Sequence, residues 1–130
     1  MELVCESLAR ACRACGVWAT ASSDVDQRQP IRYCLTELSP YAIMVGQRKV
    51  GGFAIRAYET SWLIQGSLLI RHLPERVRAL MPTIVVQSFD THAISMEEVL
   101  GGPVSESDVI ARLIESWREI GGIQCLWAAR

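Results

Sequence analysis

Lysine is almost missing from this chain: its thirteen basic side chains are twelve arginines and one lysine, Lys49, among 130 residues. A basic surplus is missing as well. Fourteen acids leave a net charge of -1, without the positive excess by which nucleic-acid binders neutralise phosphates, so no nucleic acid is expected as a partner. Long apolar runs are absent, since stretches such as residues 68–70 or 42–45 fall far short of the roughly 20 residues that cross a bilayer, and no membrane partner is expected. The first six residues hold two acids and no basic cluster, unlike a secretory signal, which points to a soluble cytoplasmic protein. Charge is sparse at 21% and apolar residues reach 50%, a balance that excludes intrinsic disorder. A single domain over residues 1–130 is expected, burying roughly two thirds of the surface its unfolded chain exposes.

Five cysteines, Cys5, Cys12, Cys15, Cys34 and Cys125, are an odd number in a chain that shows no export signal, which favours reduced thiols over a disulfide framework. Cys12 and Cys15 have CxxC spacing, but a zinc site wants a second pair or suitably placed histidines, and His72 and His92 stand alone. No metal site is expected. The pair ends an amphipathic stretch of Leu3, Val4, Leu8, Ala11, Cys12 and Cys15, the pattern of buried helical cysteines.

The pattern predicts a helix over residues 2–15 closed by Gly16, then a polar connector over 21–30. β-branched and aromatic residues follow. Strands are expected over 41–45, 48–58 and 61–71, with Gly46-Gln47 and Glu59-Thr60 as turns, giving an antiparallel meander. Pro74 opens a short helix to Met81, and residues 83–86 form an apolar run. Ser95 with Glu98 has the capping-box form, opening a brief helix that Gly101 ends. Ser105 starts the clearest helix, with Val109, Ile110, Leu113, Ile114, Trp117 and Ile120 at helical spacing up to Gly121-Gly122. The tail over 123–128 suits a further strand. Asp90-Thr91-His92 reads as a loop, His72 as an exposed or capping histidine, and Trp62 and Trp117 as core. The whole is an α+β domain, a mainly antiparallel sheet with three or four helices.

Lys49 stands before Gly51 and Gly52, where missing Cβ atoms let a ligand approach the backbone, and a cation there suits a developing oxyanion or a phosphate. An exposed lysine on a bulged, glycine-weakened strand has the same local sequence. The segment Gly46-Gln47-Arg48-Lys49-Val50-Gly51-Gly52-Phe53-Ala54, with Leu63-Ile64-Gln65-Gly66-Ser67-Leu68-Leu69 after it, resembles the second half of the lipoate-protein ligase and octanoyltransferase catalytic domain. That family typically reads GRKVAGSAQ and then LQHGSILL. The resemblance implies part of the biotinyl and lipoyl protein ligase catalytic fold. It also implies attachment of a lipoyl or octanoyl group to a lysine of a lipoyl-carrier domain, with lipoate or octanoate as acyl substrate and ATP if the enzyme is a ligase. Lys49 matches the family's catalytic lysine, and Gly51, Gly52, Phe53, Ala54, Gln65, Gly66 and Ser67 match substrate-binding positions. Cys34, in Tyr33-Cys34-Leu35, resembles the catalytic cysteine of thioester-forming octanoyltransferases.

The chain departs from the family in three places: Phe53 replaces a usual serine, Ile55 a usual glutamine, and Gln65 the usual histidine. Residues 1–33 show no match to the arginine- and double-glycine-bearing segment of the family's first half. The resemblance therefore implies one half of a split enzyme, a fragment of a longer gene product or, alternatively, a noncatalytic acyl- or carrier-binding subunit. A half-pocket exposes apolar surface, so a complementary N-terminal-half chain or a homo-oligomer is the expected partner besides the carrier domain.

Overall fold

A computed structural model describes residues 2–22, 37 and 41–121. Helix α1 (Glu2–Ala14) buries Cys5, Ala9, Ala11 and Cys12, and the chain turns at Gly16 towards β1 (Thr20–Ser22). Three antiparallel strands follow: β2 (Ala42–Val45), β3 (Arg48–Ala57) and β4 (Trp62–Leu68), and the sheet order is β1-β2-β3-β4. The β2–β3 hairpin closes on Gly46-Gln47 with Val45 opposite Arg48; Gly46 has φ +59°, a conformation glycine adopts without steric cost. Helices α2 (Glu75–Arg78), α3 (Thr83–His92), α4 (Met96–Leu100) and α5 (Glu106–Gly121) complete the described residues. The class is α+β, with three helices of ten residues or more and two of about one turn.

The core lies between the sheet and helices α1, α4 and α5, where Cys5, Cys12, Val17, Ile43, Val50, Phe53, Met96 and Val109 pack together. An exposed ion pair, Arg10 to Glu119 at 2.6 Å, links α1 to α5. On α3, Val85 and Phe89 are buried, and the helix lies against β3. The α3–α4 junction is sewn to the sheet by backbone hydrogen bonds: Ile94 N–H donates to Lys49 O (2.9 Å), and Met96 and Glu97 N–H donate to Leu69 O (2.9 Å) and Ile70 O (3.0 Å).

Four details depart from the sequence reading. Residues 20–22, placed at the edge of a connector, pair with β2 as a short strand. The apolar run at 83–86 opens a ten-residue helix whose last turn holds Asp90-Thr91-His92, so these are not a loop. Trp62 is 67% exposed rather than core, because β4 is an edge strand among the described residues. Trp117 is half-buried, with an indole N–H that finds no hydrogen-bond acceptor among the described residues. The strand expected over 123–128 and most of the 21–30 connector lie outside the described residues.

Candidate functional site

The β2–β3 ladder carries one irregularity. Ile43 pairs with Gly51 but Met44 pairs with Lys49, so Val50 is an extra residue on β3, a β-bulge. In an unbroken strand residues 49 and 52 point to opposite faces. The bulge inverts that relation. A Cβ on Gly52 would lie 2.7 Å from Lys49 Cε and 3.0 Å from its Nζ, so the lysine side chain crosses Gly52 on the same face of the sheet. Only a glycine accepts this, and the same phantom Cβ would also meet Tyr41 O at 3.2 Å.

Lys49 is buried, 3% exposed, and its ammonium donates to the backbone carbonyl of Glu37 at 3.0 Å. A desolvated ammonium is stabilised only by such acceptors, and the same property makes it a strong partner for a carbonyl or phosphate oxygen that reaches it. The sole lysine is therefore neither solvated nor a surface charge.

Cross-strand register says which expected positions accompany it. Gly52 faces Ser67 and Ala54 faces Gln65, so Ala54, Gln65 and Ser67 lie with Gly52 on the lysine's face, and all three are exposed. They form a floor of small and amide-bearing side chains beside the ammonium. Phe53, Gly51 and Gly66 lie on the other face. Phe53 is 7% exposed in the core and stacks on Tyr41, with centroids 5.4 Å apart, and the close seat of Gly66 against its Cβ shows why no larger residue stands there. The ring of Phe53 thus packs into the core, on the face of the sheet opposite Lys49. Cys34 lies outside the described residues.

Sequence reading missed a polar network next to this bulge. Arg48 reaches Asp90 O (3.3 Å) and Glu98 Oε1 (3.4 Å). Glu98 Oε2 accepts from Ser95 N–H (2.9 Å) and Ser95 Oγ (2.8 Å), and Glu98 N–H donates to Ser95 Oγ at 3.2 Å. Burial favours the neutral form of the Glu98 carboxyl, but the Ser95 and His72 hydrogen bonds together outweigh it, and its pKa falls. His72 Nε2 lies 3.0 Å from an Arg78 guanidinium nitrogen, which can only donate, so Nε2 accepts and the Nδ1 proton faces Glu98 at 3.3 Å. Arg78 in turn grips Asp90 with two bonds of 2.6 and 2.7 Å, which hold the Asp90 carboxyl below its usual range. The signal available in sequence was the Ser95–Glu98 spacing alone; the other partners come from distant segments.

Among the described residues no cluster of histidine, cysteine or carboxylate side chains could hold a metal ion. None of the described helices is long and apolar enough to cross a membrane. A groove of about 560 Å³ between the end of α1 and the start of α5, lined by Cys15, Leu100, Val104, Asp108 and Arg112, shares no residue with the lysine face.

The meander and the helices around it match part of the fold of solved lipoate-protein ligases. No family model matches the chain, and no curated protein matches it. Among solved structures, a lipoate-protein ligase A bound with ATP superposes with a TM-score of 0.69 at 19% identity, over 92% of this chain and 44% of that one. A T. acidophilum protein described as a lipoate protein ligase, with bound lipoic acid, gives 0.64 at 17% identity over 92% of this chain and 43% of that one. The same T. acidophilum protein in a second structure gives 0.67 over 95% and 44%. The chain spans less than half the length of each of these three structures.

Proposed function

We propose that this chain is an acyltransferase or ligase component that helps attach a lipoyl or octanoyl group to a lysine of a lipoyl-carrier domain. The observation that carries the reading is the sole lysine of the sequence, buried and laid over Gly52 at a bulge in a lipoate-protein ligase fold. An acyl carbonyl reaching the Lys49 ammonium shares it with, or takes it from, the Glu37 carbonyl. The positive charge then meets negative charge developing on that oxygen, a contribution of typically about 2.7 to 4 kcal/mol to barrier lowering. Gly52 and Ala54 leave the floor low enough for an alkyl chain to lie on it, with Gln65 and Ser67 as hydrogen-bonding groups at its side.

Two chemistries fit. In a ligase, the acyl carboxylate attacks the α-phosphate of ATP and releases pyrophosphate; the acceptor lysine's amine then attacks the acyl-adenylate, forms the amide and releases AMP, while Lys49 meets the carbonyl and phosphate oxygens. In a transferase, the Cys34 thiolate attacks the octanoyl thioester of acyl carrier protein and releases that protein's thiol; the amine of the lipoyl domain's acceptor lysine then attacks the new thioester, forms the amide and releases the Cys34 thiol. The second reading, a noncatalytic subunit that binds the acyl group or its carrier, is favoured by Gln65: an amide on the lysine's face cannot exchange a proton near neutral pH.

The test is intact-mass measurement after mixing the chain, alone and with candidate partner chains, and a lipoyl-carrier domain with octanoyl-acyl carrier protein or, separately, with lipoate and ATP. Octanoyl or lipoyl mass on the carrier domain, reduced by about 100- to 1,000-fold in Lys49→Arg with the fold intact, is the expected outcome. Octanoate binding without any transfer assigns the noncatalytic role. Neither transfer nor binding overturns both readings.

A further inference from the structure

Three segments of backbone meet at Lys49. Strand β4 accompanies β3 as far as Gly51, opposite Leu68, and Leu69 then donates its N–H to Val50 O at 2.8 Å. Beyond that point the α3–α4 junction takes the place of β4. Ala93 bridges Lys49 in parallel, and Ile94 N–H donates to Lys49 O at 2.9 Å. The chain after β4 turns aside and offers the Leu69 and Ile70 carbonyls to the first N–H groups of α4. A bulge interrupts the regular ladder, so the main-chain groups around it need partners from elsewhere, and for the lysine carbonyl the junction is that partner.

Glu98 flanks this bond on both sides. Its Oε2 accepts from Ser95 N–H at 2.9 Å and Ser95 Oγ at 2.8 Å, one residue after Ile94. Its Oε1 accepts from Arg48 Nη2 at 3.4 Å, one residue before Lys49. The result is a closed ring: from Lys49 O to Ile94 N–H, along the chain to Ser95, through the Glu98 carboxylate to Arg48, and back along the chain to Lys49. His72 Nδ1, 3.3 Å from Oε2, and the bond from Arg48 to Asp90 O, also 3.3 Å, brace the ring from outside. Peptide groups are planar, so a ring that holds the lysine carbonyl also fixes the peptide plane beside it. The direction in which the side chain leaves β3 and crosses Gly52 follows from that plane. A carboxylate that merely capped α4 would need Ser95 and nothing else.

We infer that Glu98 is a positioning residue for Lys49: by joining Arg48 to Ser95 across the Lys49–Ile94 hydrogen bond, its carboxylate holds the ammonium over Gly52. The purpose of this device rests on the proposed acyl function; its geometry does not.

Glu98→Gln separates the two roles of the side chain. Glutamine serves in a capping box as glutamate does, but its one acceptor oxygen is then taken by Ser95 and its NH2 group faces the Arg48 guanidinium. Isotope-labelled lysine gives a single side-chain signal in this chain, so the Overhauser contact between Lys49 Hε and Gly52 Hα can be read directly, and acetylation with peptide mapping reads amine exposure. In Glu98→Gln, with circular dichroism and urea midpoint near those of wild type, the contact is expected to weaken at least twofold and acetylation to quicken at least threefold. Ser95→Ala loses the hydroxyl but keeps the backbone N–H and the Arg48 pair, so it should lower stability and leave both lysine readings unchanged. Arg48→Met cuts the ring from its other side and should reproduce the Glu98→Gln readings. An undisturbed lysine in Glu98→Gln and Arg48→Met, or one equally disturbed in Ser95→Ala, overturns the inference. Where wild type transfers acyl groups, Glu98→Gln should lower kcat at least tenfold and leave KM for the acyl substrate within twofold; full kcat overturns the positioning role and leaves the acyl function standing. A wild type that transfers nothing ends the catalytic reading, and the lysine readings still decide the role of Glu98.

Discussion

Lys49 and Gly52 occupy one another's space: the lysine Cε lies 2.7 Å from where a glycine Cβ would stand, and the ammonium 3.0 Å from it. The glycine is therefore a condition of the lysine's position. Gly52→Ala is expected to push the side chain off the strand and expose its amine. Because the chain has one lysine, amine acetylation followed by peptide mapping reads that exposure without interference. Wild-type Lys49 should acetylate at least tenfold more slowly than an unfolded control, and Gly52→Ala should recover most of that rate. Equal labelling of wild type and variant would mean that the contact does not hold the lysine.

Burial raises the thiol pKa of Cys12 from about 9.0 to about 12, helped by neighbouring Cys15 and opposed by Arg13, and burial also raises those of Cys5 and Cys15. A group whose folded pKa is raised holds its proton more tightly when folded. Its contribution is fully present below the unfolded pKa and lost as pH climbs from there through the folded value. Stability should therefore fall between pH 9 and 12, by about 2 kcal/mol at pH 10.5 from Cys12 alone. Urea midpoints at pH 8 and 10.5 measure it. Cys12→Ala should be less stable at pH 8 but show the smaller alkaline loss; an equal loss would assign the effect to other groups.

Ser95 is fully buried and makes both halves of a capping box with Glu98 at the start of α4, the helix whose first residues hydrogen-bond to Leu69 and Ile70. Ser95→Ala removes the acceptor for Glu98 N–H and leaves the Glu98 carboxylate short of a donor. A loss of about 1 to 2 kcal/mol in chemical denaturation is expected. Ser95→Thr keeps the oxygen and should recover part of it. If alanine costs no more than a surface substitution, the cap is not what anchors α4.

Local chemistry made much of this fold legible. Gly46-Gln47 demanded a two-residue turn, Ser95–Glu98 a capped helix, and the spacing of Val109, Leu113 and Trp117 an amphipathic one, because each signal sits within a few residues of its effect. The lysine was singled out by its rarity and by its glycines. What composition could not reveal was direction: Lys49 points away from the core only because Val50 is an extra residue, and Phe53 faces the core for the same reason. Trp62 was misread because hydrophobicity alone does not say whether a strand is central or at an edge. The hydrogen-bonded cluster around Glu98 was invisible because its members, Arg48, His72, Arg78 and Asp90, come from four separate segments.

The insertion at Val50 carries a consequence for how this surface can change. Deleting that one residue would restore regular pairing between β2 and β3 while leaving every charged group in the chain intact. The only amine-bearing side chain would then swing through the sheet into the packed cysteines and valines behind it, and the opposite surface would lose its cation. Sidedness here is thus encoded by length: a chain one amino acid shorter has the same chemistry turned inside out.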